Sequence, residues 1–367
     1  MGYVNRYVGA LYVRLTRRPL DATTDTFAPS VTVVVPLYNE GAAIVDTLRS
    51  VLASDYPRLR VVCIDDASTD DSLAHARSVA DDRLTVLGNT RNLGKRASIN
   101  RAVRESDSEI IVSVDSDVLV EPGAIRALVR RFVSPEIAAV GGWVDVRNKH
   151  DNWLTRMQVL KYWYAYYVAK NVERAVRRVM SVSGCLAAYR RSVLVELLPI
   201  LDARTLKHGE DRYLTRQIVK AGYQTTMTHQ ARCWTFVPST LRGYFSQQLR
   251  WRRANVVDYA AGTTHVWKLP PLVAINYFAL AIVLFLYPFG LYRALVHHRL
   301  VHVIAVHAII LTVLGAYYAW RTRAWPAHER VSAWSYVPHA LCMPITSGIF
   351  VVLALFTLDS DRWETRS

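Results

Sequence analysis

Cysteine is scarce in this sequence. Four occur in 367 residues (Cys63, Cys185, Cys233 and Cys342), far apart. No pair has metal-ligand spacing and nothing suggests a disulfide framework, which fits a reducing compartment. Internal repeats and low-complexity tracts are absent. The first twenty residues carry Arg6, Arg14, Arg17 and Arg18 but no long apolar core. They do not read as a signal peptide, and a helix lying on a surface is expected instead. Acidic residues are outnumbered, 30 against 45 basic ones, for a net charge of +15. Such a balance raises nucleic acid as a partner, but no nucleic-acid motif accompanies it, and none is expected. Arginine pairs (Arg17–Arg18, Arg130–Arg131, Arg177–Arg178, Arg190–Arg191, Arg252–Arg253) suit anionic lipid or a diphosphate-bearing substrate.

Charge is missing altogether from residues 300–320, and residues 272–296 hold only Arg293. Each run approaches the ~20 apolar residues that cross a bilayer as a helix. A third run, 337–358, contains Pro338 and Pro344. It is expected to be a kinked span or a re-entrant segment, with the balance towards re-entrance. Before about Ala260 the chain alternates like a soluble protein. The expected division is a basic segment 1–28, a catalytic domain 29–239, a basic interfacial helix 240–270, a membrane domain 271–358 and a tail 359–367. Arg321, Arg323 and Arg330 put the second loop on the cytoplasmic side. His297, His298, His302 and His307 have no acidic neighbour in sequence and read as interfacial or packing residues.

In the soluble part, strand and helix patterns alternate. "VTVVVPLYN" from Val31, "LRVVCIDDAS" from Leu59, "RLTVLG" from Arg83 and "EIIVSVDSD" from Glu109 read as strands, with helical spacing between them. Short connections predict a mostly parallel, Rossmann-like α/β sheet, whose ligands bind outside the strands' carboxyl ends. Polar residues gather there: Asn39 and Glu40, Asp65 and Asp66, Asp115 and Asp117. Residues 153–170, dense in Trp and Tyr, read either as a packed core helix or as one lying in a membrane interface, the latter preferred.

Asp115 and Asp117 raise a question of charge. Neighbouring carboxylates repel unless something positive lies between them. Two residues apart on an extended strand they share a face, and both could serve one hard cation, Mg²⁺ or Mn²⁺. Read alone, the pair could equally cap a following helix. Further along come "NLGKRASIN" (Asn92–Asn100), "SVSGC" (Ser181–Cys185), "HGEDRYLT" (His208–Thr215) and "QQLRW" (Gln247–Trp251).

In this order and spacing the motifs resemble the family-2 glycosyltransferases. The likeness is to the processive, membrane-embedded branch with hyaluronan synthases, chitin synthases and rhizobial chitin-oligosaccharide synthases. It runs from Val31 to the C-terminus. It implies a GT-A catalytic domain, a UDP-sugar donor (UDP-GlcNAc above others) and a Mg²⁺ or Mn²⁺ cofactor. By resemblance Asp65 or Asp66 contacts uridine, Lys95 lies near the nucleotide, Asp117 ligates the metal, and Asp115 joins it beside the donor. Asp211 is implied as the base, with Glu210 tuning it or holding acceptor. Arg250 would bind the diphosphate, and Trp251, Gln247, Gln248, Ser183 and Gly184 the acceptor. The tail "DRWETR" resembles a gating motif, making Trp363 and Arg366 gating candidates, with Glu364 where glycine is usual. Cys185 replaces a common proline, and no N-terminal span is visible. The implied protein is a multi-pass plasma-membrane enzyme with a cytoplasmic catalytic domain. It would invert at the anomeric carbon, elongate a β-linked polysaccharide and move it outward, with an oligomer or partner completing the channel. A non-processive transferase using a lipid-linked acceptor, and a catalytically silent nucleotide-sugar sensor, are the competing readings.

Overall fold

A computed structural model describes residues 23–203, 209–262, 264 and 266–358. Its centre is an eight-stranded sheet built from β1 (Val31–Leu37), β2 (Leu59–Asp65), β3 (Leu84–Gly88), β4 (Ile110–Val114), β5 (Val118–Val120), β6 (Ile137–Val146), β7 (Leu186–Arg190) and β8 (Gln224–Thr235), in the order β3-β2-β1-β4-β7-β6-β8-β5. The β-branched run of β1 is buried along its whole length, as a central strand covered on both faces must be. Its register is parallel to β2 and β4. Helices α1 (Ala43–Leu52), α2 (Ser72–Arg77), α3 (Lys95–Glu105) and α4 (Ala124–Val129) connect the first strands.

The sheet is mixed. β7 runs antiparallel to both β4 and β6, and β5 antiparallel to β8. This reversal has a consequence for chemistry. Val114, the last residue of β4, pairs with Leu186, the first of β7. The segment entering β7, Ser183 to Cys185, therefore sits beside Asp115 at the sheet's carboxyl edge.

Helix α5 (Trp153–Trp163) starts with a capping box: Asn152 Oδ1 accepts from the amides of Leu154 and Thr155, and Thr155 Oγ1 accepts from the Asn152 amide. Eight of its eleven residues are buried. A π-helical turn, Tyr164–Ala169, leads into α6 (Lys170–Ala175). Trp163 packs edge-on against Tyr318 and stacks on Tyr167. The aromatic run thus fills the space between the sheet and the apolar helices.

After α7 (Arg191–Asp202), α8 (Glu210–Lys220) and β8 comes the 22-residue α9 (Leu241–Gly262). Helices α10 (Pro271–Val296) and α11 (Leu300–Thr322) follow as a hairpin, touching through Tyr287 and His307. Both are long and apolar enough to cross a membrane, and only 24% and 17% of their most apolar windows are buried, unlike core helices of a soluble domain. The third apolar run forms α12 (Val337–Phe356), one continuous helix. Pro338 occupies its first turn, where a missing N–H costs nothing, so it starts the helix rather than kinking it.

The loop between α11 and α12 is tied to the sheet. Arg232 of β8 donates to Asp145 of β6 (2.7 Å) and to Glu329 of that loop (2.8 Å). Lys149 donates to Asp145 (2.9 Å) and to the Glu329 carbonyl (3.2 Å). Arg232 lies over the rings of Trp143, Trp234 and Trp325. Burying these charges is tolerable because each has an opposite partner and further donors or acceptors.

Candidate active site

Strand β4 stops at Val114, and Asp115 to Asp117 form a turn before β5. The expectation that the two carboxylates share one strand face is therefore corrected: their proximity comes from the turn, closed by Val118 N–H donating to the Asp115 carbonyl (3.2 Å). Thr235 Oγ1 donates to Asp117 Oδ2 (3.2 Å).

Asp66, 3% exposed, shapes the neighbouring loop. Its carboxylate accepts from Asn89 Nδ2 (2.8 Å), Leu93 N (2.9 Å) and Gly94 N (2.6 Å). That fixes the start of α3 and with it Lys95. Asp65, 2% exposed, accepts from the amide and hydroxyl of Ser68. Both carboxylates hold loops at the sheet edge.

Lys95 joins the distant acids. Its Nζ is hydrogen-bonded to Asp115 Oδ1 and ion-paired with Glu210 Oε1 at 3.1 Å. A Cβ on Gly184 would lie 2.6 Å from that Nζ and 3.7 Å from Asp115 Oδ1, so the backbone at Gly184 closes over the cluster. Burial disfavours the Lys95 charge, but Asp115, Glu210 and Asp211 outweigh it and hold the ammonium well above its usual range. Burial also pushes Glu210 up, yet Lys95 and Arg250 prevail and keep it below the ordinary carboxylate range. Asp211 goes the other way. Burial and the charge of Glu210 raise it, against Arg212 and Lys95. Adjacent carboxylates with diverging proton affinities are the arrangement that separates a charged anchor from a base. Burial, together with the charges of Asp115 and Asp117, pushes the Cys185 thiol well up.

Glu210 and Asp211 open α8, where the helix dipole favours negative charge. Arg212 N–H donates to Asp211 Oδ1 (2.7 Å). Thr215 Oγ1 donates to the Asp211 carbonyl and accepts from Val182 N, which ties the helix to the segment containing Ser183 and Gly184. Gly209, in the left-handed conformation at φ 75°, precedes them, and a Cβ there would stand 2.9 Å from the Ala254 Cβ of α9.

Helix α9 carries Gln247, Gln248, Arg250 and Trp251. Gln248 Nε2 donates to Gln247 Oε1 (3.2 Å), and Gln248 Oε1 accepts from Lys161 of α5. The Lys161 ammonium also lies over the Trp251 ring, 4.7 Å from its centroid, and Tyr162 leans on the same ring. Burial and Arg252 pull Lys161 down to about 7. The sequence gives no sign of this role for Lys161, one of two cations in an aromatic helix, because its partner lies 87 residues away. Trp363 and Arg366 lie outside the described residues.

Among the described residues no group of three or more Asp, Glu, His or Cys side chains could hold a metal by itself. Asp115 and Asp117 offer hard carboxylate oxygens on one turn. That set fits Mg²⁺ or Mn²⁺ of the kind completed by substrate phosphates.

A sheet of this order, with acids and cations gathered at its carboxyl edge, defines a GT-A-like glycosyltransferase. The chain belongs to glycosyltransferase family 2: the family model described as "Glycosyltransferase like family 2" matches residues 28–254. It is 34% identical over 259 residues to an N-acetylglucosaminyltransferase of Sinorhizobium fredii, covering 68% of this chain and 63% of that protein. It is 32% identical over 251 residues to one from Azorhizobium caulinodans, covering 66% and 63%. The chain thus spans less than two thirds of the length of these curated relatives. A mannosyltransferase from Pyrobaculum calidifontis, solved with GDP-Man and Mn²⁺, superposes with a TM-score of 0.68 at 24% identity, covering all of this chain and 96% of that one. That likeness concerns the fold.

Proposed function

We propose that the protein transfers N-acetylglucosamine from UDP-GlcNAc with inversion, elongating a β-linked, amino-sugar-containing chain at a membrane. The observation that carries this reading is Lys95, which binds Asp115 and Glu210 together and so joins the donor turn to the carboxylate pair of α8. Asp211 takes the proton from the acceptor hydroxyl as the anomeric carbon is attacked. Its raised proton affinity suits a general base. Lys95, ion-paired with Glu210, and Arg250, whose charge acts on the same carboxylate, hold the departing diphosphate, Arg250 through the bidentate geometry of a guanidinium. Mg²⁺ or Mn²⁺ held by Asp117 and Asp115 would supply Lewis-acid neutralisation of that leaving group. Trp251 presents a flat ring to the acceptor sugar, with Gln247, Gln248 and the backbone at Ser183 and Gly184 alongside. Relatives described as N-acetylglucosaminyltransferases support the choice of sugar.

Processive elongation and outward movement fit a site whose acceptor helix leads directly into two apolar helices. Return of the third run to the catalytic side is supported by the end of α12, which as one unbroken helix would lie along the interface and not turn back inside it. Arg253 Nε and Nη2 donate to Thr357 Oγ1 (3.0 and 2.9 Å), and the next residue of α9, Ala254, abuts Gly209. Both ends of α12 then lie on the catalytic side, cytoplasmic in this reading.

The test is turnover by the purified protein with Mg²⁺ or Mn²⁺ and UDP-sugars, singly and in pairs, with the products sized. Chains grown from UDP-GlcNAc alone indicate a chitin-like homopolymer, and a need for two donors indicates a hyaluronan-like copolymer. A single addition to a lipid acceptor overturns processivity. Silence with every UDP-sugar overturns the enzymatic reading.

Lys161 yields a second expectation. Lys161→Met should reduce acceptor-dependent turnover about 2- to 30-fold, the effect of losing a cation–π contact of roughly 0.5–2 kcal/mol. Donor hydrolysis without acceptor should stay unchanged. A variant that loses both activities equally would remove Lys161 from the acceptor side.

A further inference from the structure

We infer that Asp258 is a positioning residue that sets where Asp211 stands relative to the acceptor ring of Trp251. The inference rests on the reading of Asp211 as base and adds the device that aims it.

Asp258 lies on α9 and is 5% exposed. Its Oδ1 accepts from Arg216 Nη1 (3.0 Å), and its Oδ2 pairs with Arg212 Nη1 (3.4 Å). Both arginines belong to α8, the helix that Glu210 and Asp211 begin. The backbone of Asp258 is used as well. Its carbonyl accepts from Tyr277 Oη of α10 (2.7 Å) and from Arg216 Nη1 (3.3 Å). One residue therefore fastens the helix of the base, the helix of the acceptor motif and the first apolar helix.

The leverage is short on both sides. Arg212 directly follows Asp211 and donates its amide N–H to that carboxylate. Trp251 precedes Asp258 by seven positions on a continuous helix, close to two turns, and so presents nearly the same face. The contact between Gly209 and Ala254 shows the two helices already touching beside the base. Asp258 also keeps the Arg212 guanidinium occupied. Without it that cation is free to pair with Asp211 and quench the base. Asp258 itself reaches neither donor nor acceptor. Its loss should alter the chemical step and spare donor binding.

The experiment uses the full chain in membranes or detergent and measures kcat, donor KM, the share of UDP-GlcNAc lost to water, and UDP affinity by calorimetry. Asp258→Asn should lower kcat on the order of 10- to 100-fold, the effect of misplacing reacting groups by about 1 Å. Donor KM and UDP affinity should stay within about twofold of wild type, a kinetic signature that marks loss of an interaction confined to the transition state, and hydrolysis should take a larger share. Asp258→Glu should recover part of the lost kcat. Tyr277→Phe, which removes one hydroxyl, should move kcat in the same direction by a smaller factor, and it decides the matter if Asp258→Asn does not fold. Asp211→Asn is measured alongside. If it is dead while Asp258→Asn and Tyr277→Phe keep wild-type kcat, the positioning role falls and the base stands. Joint loss of kcat and UDP affinity in the Asp258 variants also overturns it, since that marks a purely structural role. Turnover by Asp211→Asn overturns both.

Discussion

Asp211→Asn is expected to lose sugar transfer by about 10²- to 10⁴-fold, the contribution of a positioned general base, while UDP binding persists. The amide keeps the size of the side chain and can still accept from the Arg212 N–H, so the start of α8 should survive. What it cannot do is take the acceptor proton. The pH dependence follows from the same surroundings. Burial and the charge of Glu210 raise Asp211, so the wild-type rate should fall on acidification at a pH above the ordinary carboxylate range, as the base becomes protonated. Glu210 does not produce this limb, because Lys95 and Arg250 hold it ionised to lower pH. A pH–rate profile checks the point: a limb at or below the usual aspartate range would mean that the rate-setting carboxylate is not in this buried pair. Equal turnover by Asp211→Asn would remove it as the base.

How far the sequence exposes this arrangement depends on the range of each interaction. β1 and β4 are legible because their β-branched runs are buried on both faces and need no partner to be recognised. The division near Ala260 is legible because two helices of 26 and 23 residues, α10 and α11, carry almost no charge. The turn at Asp115–Asp117 is not, since alternation in "SVDSDVLV" continues through it and only the departure of β5 to pair with β8 ends the strand. The antiparallel insertion of β7 is also invisible locally, and it is what carries Gly184 to Lys95. Asp66 shows a different limit. A carboxylate after a strand does not disclose the three hydrogen bonds that Asp66 accepts from residues 89–94. Lys161 and Asp258 are legible only in three dimensions, because their partners lie on other helices 87 and 42 residues away.

Gly209→Ala should damage both stability and transfer, for separable reasons. At φ 75° an L-residue with a Cβ is disfavoured by roughly 1–2 kcal/mol. The new methyl would also stand 2.9 Å from Ala254 Cβ, and overpacking of that kind costs about 1–3 kcal/mol. The total of about 2–5 kcal/mol is a large part of a domain's net stability, so the unfolding midpoint should drop. Whatever relief occurs must separate α8 from α9, which moves Glu210 and Asp211 away from Arg250 and Trp251. Transfer should therefore fall further than the loss of folded protein explains. Ala254→Gly distinguishes the two terms. It removes the facing methyl at a cost of about 0.8–1.0 kcal/mol of helix propensity, and leaves the backbone strain untouched. The double variant should regain transfer activity relative to Gly209→Ala alone, with a coupling of about 0.5–3 kcal/mol between the neighbouring sites. Strictly additive effects would mean that the two helices do not need this contact, and that backbone strain alone accounts for the glycine.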